Sequence, residues 1–185
     1  PDTLFVARIP NLLASIVFIY YAYRISNQFL NPKLGWICFA LLLFNPFLID
    51  YFSQARGYGL ALGFQLASIY YLFCFSEDFK IGNIVRMLVF STLAVLSVFI
   101  FINFYIACGC IVFLIILLNY KKIEYKKIVL LYFVGVILLA AIIFIPIQQL
   151  IINKSLYYGG NINFYEDSLL SLTQFSLYLH NYSPV

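Results

Sequence analysis

Long apolar runs alternate with short polar links along most of the chain, and each run is close to the ~20 residues a helix needs to cross a bilayer. The first, Leu4–Tyr23, has Arg8 and Pro10 in its opening turns. Proline is tolerated there because its missing N–H would have no partner anyway. The link Arg24 to Lys33 contains Asn31-Pro32, a turn signal. The second run, Leu34–Phe52, has Asn45-Pro46 inside it, which predicts a kink and a freed carbonyl. The third, Gly57–Phe75, is closed by Ser76-Glu77-Asp78-Phe79-Lys80.

From Ile84 to Asn119 there are 36 residues with Arg86 as the only charge. One helix over that stretch would rise about 54 Å, against a hydrocarbon core of ~30 Å. The pattern therefore predicts two shorter spans, 84–102 and 104–119, meeting near Ile102-Asn103-Phe104 in an outer hairpin turn. The sixth run is Ile128–Ile147. The tail 153–185 is mixed and polar, and Ser168–His180 sets Leu169, Leu172 and Phe175 at helical spacing, as an interfacial helix would. The expectation is an all-α membrane protein: a polytopic helical bundle of about six transmembrane helices over 1–152, then an extracytoplasmic loop over 153–185.

Composition makes the membrane reading compulsory. The chain is 64% hydrophobic and only 10% charged, where a soluble domain carries about 25% charged residues. There is too little polar surface to cover a body in water, which excludes the cytoplasmic enzyme classes. The net charge of +4 reads as topology and not as nucleic-acid binding. Eight of the 11 basic residues (Arg24, Lys33, Lys80, Arg86, Lys121, Lys122, Lys126, Lys127) fall on links that share one side, leaving Arg8, Arg56 and Lys154 opposite. The positive-inside rule makes the first side cytoplasmic. No signal peptide is visible at Pro1-Asp2-Thr3, and the chain reads as an internal fragment. Cys38, Cys74, Cys108 and Cys110 all lie in apolar runs, and Cys108-Gly109-Cys110 lacks zinc-ligand spacing.

The outer link Asp50 to Gly59 carries the densest candidate chemistry: Asp50, Gln54, Arg56 and Tyr58 between two apolar runs. Ionisable groups at membrane depth are costly and point to function or to a specific partner. Arg56 suits a phosphate, because its planar fork makes bidentate, charge-assisted bonds; pairing with Asp50 as a helix anchor is the structural alternative. Arg8 lies on the same outer face, as a second phosphate contact or as a residue snorkelling to the headgroups. Asn103 and Tyr105 sit at the expected hairpin turn, where turn chemistry alone would also account for Asn103. Ala55, Gly59, Gly63 and Ala67 recur every fourth position, spacing that admits a close neighbouring helix. His180, the only histidine, reads as a surface residue, and Asp167 as the N-cap of the helix after it. No metal-ligand set, phosphate loop or catalytic triad appears.

The order of these features resembles the GT-C fold glycosyltransferases, in particular the bacterial branch of lipopolysaccharide sugar transferases and protein mannosyltransferases. The resemblance rests on Arg8-Ile9-Pro10-Asn11-Leu12-Leu13, on Asn45-Pro46-Phe47-Leu48-Ile49-Asp50-Tyr51, on Ser53-Gln54-Ala55-Arg56-Gly57-Tyr58-Gly59-Leu60 and on the hairpin that follows, and it covers about Leu4–Ile147. It implies a hexosyl or pentosyl transferase of the bacterial inner membrane with its site facing outward. Such an enzyme moves a sugar from a polyprenyl-phosphate donor to a lipid, glycan or protein acceptor. Arg56, Tyr58, Gln54, Asp50, Arg8, Asn103 and Tyr105 would be its substrate-binding residues. It implies no organic cofactor, with a divalent metal left open, and places the catalytic acid in an outer loop before Pro1. Many relatives carry a histidine at the hairpin turn, where this chain has Asn103-Phe104-Tyr105. The rival expectation is a transporter or flippase for a lipid-linked or anionic solute, with Arg56 and Asp50 lining its path; no inverted internal repeat is visible.

Overall fold

The computed structural model describes residues 2–53, 56–120 and 124–152, and every element among them is helical. In chain order they are α1 (Asp2–Phe29), α2 (Pro32–Leu43), α3 (Pro46–Ser53), α4 (Tyr58–Asp78), α5 (Ile81–Ser97), a 3₁₀ turn (Phe99–Phe101), α6 (Ile102–Leu118) and α7 (Tyr125–Ile152). The chain divides into two compact units, 1–140 and 141–185, and the packing described below lies within the first. The expected interfacial helix at 168–180 lies outside the described residues, as do the side chains of Gln54, Lys121 and Lys122.

Among the described residues three helices, Tyr58–Asp78, Phe99–Leu118 and Tyr125–Gln149, are long and apolar enough to cross a membrane, and a fourth span results if α2 and α3 count as one. That bent pair is the expected kink. Chain direction turns by 47° at Asn45-Pro46. Proline cannot extend the α2 ladder, whose end is closed by Phe44 N–H on the Ala40 carbonyl at 2.9 Å. Asn45 then starts α3, its Oδ1 accepting the Phe47 N–H at 3.0 Å and its carbonyl the Ile49 N–H at 3.1 Å.

Helix α4 is the centre: 44% of its most apolar window is buried, against 22% for Phe99–Leu118 and 17% for Tyr125–Gln149. Those two helices turn large residues such as Phe113, Leu130 and Phe133 outward, a face suited to lipid chains. On one side α4 meets α1 through its small residues. Gly59, Gly63 and Ala67 are buried, and Gly63 abuts the backbone carbonyl of Ala14. On the other side α5 returns antiparallel after Phe79 and Lys80. Ser68 Oγ crosses to the Met87 carbonyl at 3.1 Å, and both Ser68 and Ser91 are fully buried. Phe79 turns the chain in the left-handed region (φ 53°), a conformation that costs a non-glycine residue about 1 kcal/mol. Its N–H closes on the Phe75 carbonyl, and its ring lies edge-on to Phe75 at 6.0 Å. Helices α6 and α7 run antiparallel: Gly109 faces Tyr132, and Gly135 faces Tyr105.

Two expected boundaries move. The link placed at 24–33 shrinks, because α1 continues to Phe29; Ile25 and Phe29 pack on the α4 aromatics, Phe29 within 5.9 Å of Tyr70 and 5.2 Å of Phe73. The break expected at Ile102–Phe104 lies at Val98, which is extended (φ −151°, ψ 120°), followed by the 3₁₀ turn. Within an apolar stretch, such a turn keeps backbone groups bonded, here Phe101 N–H to the Val98 carbonyl at 3.1 Å. Asn103 and Tyr105 therefore belong to the first turns of α6 and not to a hairpin turn.

Candidate functional site

The backbone around Arg56, between α3 and α4, is held by a side chain on α1. Asn11 is 2% exposed. Its Nδ2 donates to the backbone carbonyl of Arg56, and its Oδ1 accepts the Leu60 N–H at 3.3 Å. Leu60 lies in the first turn of α4, where N–H groups have no intrahelical acceptor, so Asn11 acts as a cap supplied from another helix. Gly59 makes this possible, since a Cβ there would stand 2.9 Å from the Phe52 ring and 3.1 Å from the Asn11 side chain. The backbone of the Arg56 link is thus tied to α1.

The guanidinium of Arg56 is exposed and makes no ion pair among the described residues. Anchoring by Asp50 is therefore not what fixes this arginine. Asp50 and Tyr51 lie in α3, where Ser53 Oγ donates to the Asp50 carbonyl at 2.7 Å. The Tyr51 ring lies 5.3 Å from that of Tyr58, so the end of α3 and the start of α4 share an aromatic contact. Arg8 is exposed one helical turn before Asn11. A groove of about 280 Å³ runs down from Ser53 between α1 and the bent pair, walled by Leu12, Phe18, Leu42, Leu48 and Phe52. The link therefore presents an exposed guanidinium without an ion pair among the described residues, between a Tyr51–Tyr58 ring contact and a backbone tie to α1, with an apolar slot opening at Ser53.

Two further expected site residues lie on α6. Asn103 is exposed on α6. Tyr105 is 3% exposed, the Tyr132 hydroxyl donates to its carbonyl at 2.6 Å, and Gly135 lies against its own hydroxyl. It packs α6 against α7. The residue that sequence reasoning passed over is Asn11. The signal for it was present: an amide one turn after Arg8 inside an apolar run has to find partners once buried. The family models, the curated proteins and the solved structures were all compared with the chain, and none of them matches it.

Proposed function

We propose that this chain is part of a GT-C-like membrane glycosyltransferase, in which α1, the α2–α3 pair, α4, α5, α6 and α7 are six transmembrane segments. The observation that carries the reading is Arg56: its backbone is tied down by Asn11, its guanidinium is exposed with no ion pair among the described residues, and an apolar groove opens at Ser53, three positions before it in sequence. A polyprenyl-phosphate sugar has that polarity, a phosphate at the head of a long apolar chain. By charge asymmetry the Arg56 end faces outward, in the inner membrane of a bacterium.

When the sugar leaves its lipid carrier, negative charge builds on the departing phosphate. A guanidinium already in position in a low-dielectric site stabilises that charge without reorganising. Arg56 has this role, with Arg8 and Tyr58 completing the phosphate contacts and Gln54 and Asp50 contacting the sugar. The acceptor hydroxyl, on a lipid, glycan or protein, gives its proton to a carboxylate. The test is sugar transfer from a defined polyprenyl-phosphate donor, normalised to folded protein. Arg56→Ala should lower turnover about 10²–10³-fold, and Arg56→Lys, which keeps the charge and loses the fork, should fall between. Equal turnover in Arg56→Ala and the parent sinks the role.

The break at Asn45-Pro46 favours one other reading, a transporter or flippase, because discontinuous helices build solute sites in such proteins. Movement of a labelled lipid-phosphate sugar across liposomes without transfer to acceptor would select that reading.

A further inference from the structure

The opposite end of the same helices holds a second polar site that the reading above does not use. A pocket of about 320 Å³ opens between α1, α4 and α5, with Arg24 and Arg86 at its rim and Tyr20, Tyr21, Tyr70 and Tyr71 in its wall. The two arginines come from different helices, both are exposed, and neither has a carboxylate partner among the described residues. Each is held instead by rings. Arg24 lies over Tyr70 at 5.1 Å and Tyr20 at 6.0 Å, and donates to the Tyr70 hydroxyl. Arg86 lies over Tyr71 at 5.4 Å, with Asn83 Oδ1 at 3.5 Å from its Nη1.

The rings are fixed in turn. Tyr70 donates to Gln28 Oε1 at 2.9 Å, the Tyr21 and Tyr71 hydroxyls are 3.3 Å apart, and Tyr71 stacks on Phe90 at 5.7 Å and 7°. A guanidinium resting on a ring uses its face, and its N–H edge stays free for an acceptor. Each arginine gives one bond to the protein and keeps the rest of its five donors. Of the two carboxylates that line the pocket, Asp78 pairs with Lys80 at 3.0 Å and accepts from Asn83 at 3.0 and 3.2 Å, and Glu77 makes no ion pair with either arginine. Three cations against two carboxylates leave the pocket positive.

We propose that this pocket binds a phosphate group, held between the forks of Arg24 and Arg86, and that the phosphate is the headgroup of an anionic phospholipid. Two preoriented planar forks with free edges match the tetrahedral oxygens of a phosphate. The pocket lies at the C-terminal end of α4, and the three helices that form it also carry exposed Tyr23, Phe73, Val85 and Val89, apolar surface available to acyl chains. The site stands independently of the glycosyltransferase reading.

The experiment measures lipid retention by native mass spectrometry and melting temperature of the purified protein, with phosphatidylglycerol, phosphatidylcholine or inorganic phosphate added. Phosphatidylglycerol should be retained and should raise the melting temperature, and phosphatidylcholine should do neither. Arg24→Lys/Arg86→Lys keeps the charge and the ring contacts, so it should fold; its retention of phosphatidylglycerol should drop about tenfold or more. Lys33→Gln/Lys126→Gln, outside the pocket at the same end, should retain the lipid like the parent. Stabilisation by millimolar inorganic phosphate that the double lysine variant abolishes keeps the phosphate site and overturns the lipid as its source. Equal retention by the double lysine variant and the parent, or an equal loss in the Lys33/Lys126 variant, overturns the proposal.

Discussion

Replacing Gly63 by alanine tests the contact on which the α1–α4 packing rests. A Cβ built on Gly63 would stand 2.9 Å from the Ala14 carbonyl oxygen, with the Ala14 carbonyl carbon and Cβ both at 3.6 Å. Ordinary contact begins near 3.4 Å, so one backbone must retreat by about 0.5 Å. No flexible side chain can absorb this, because the opposing atom belongs to the main chain of α1. Pushing α1 away also loosens the cluster of Ala14, Phe18, Ala22 and Phe52 below it. Overpacking of this kind costs about 1–3 kcal/mol, and Gly63→Leu should cost more and lower folded yield. Gly82→Ala is the control: nothing lies within 4 Å of its Cβ, so stiffening the unfolded chain should stabilise by about 0.4–1 kcal/mol. Thermal melts in one detergent should give shifts of opposite sign, about 2–4 °C for each kcal/mol in a chain of this size. If Gly63→Ala melts at or above the parent, the close approach of α1 to α4 does not exist.

Two further outcomes check the site and its sidedness. Asn11→Leu should destabilise by about 1–3 kcal/mol, because the Leu60 N–H and the Arg56 carbonyl lose a buried partner; an unchanged melting temperature would refute the tie between α1 and the Arg56 link. In a cysteine-free background and intact cells, a membrane-impermeant thiol reagent should label Ser53→Cys and spare Lys33→Cys, and the reverse pattern would turn the orientation over.

How far the sequence could be read depended on whether a feature leaves a local mark. Apolar runs located the helices because lipid offers the backbone no hydrogen bonds, so each run must satisfy its own. Asn45-Pro46 announced its break through chemistry confined to two neighbours, an Oδ1 that caps and a ring that lacks an N–H. Val98 announced nothing: an extended β-branched residue inside an apolar run looks like any helical one, and the more polar Asn103 drew the boundary to itself. The same asymmetry governs the site. An arginine such as Arg56 between two apolar runs is conspicuous, so the residue could be named. Its partner could not, because the amide that holds its backbone is 45 residues away on α1 while Asp50 is nearby in sequence. The arginines of the opposite end read in the sequence as link residues that report topology alone. Only the continuation of α1 to Phe29, driven by apolar contacts with α4, brings Arg24 over Tyr70, and only the short α4–α5 connection sets Arg86 over Tyr71. Single residues with strong solvation costs are legible one at a time; the pairs they form are products of helix packing, and helix packing here is set by glycines and alanines that carry no chemistry of their own.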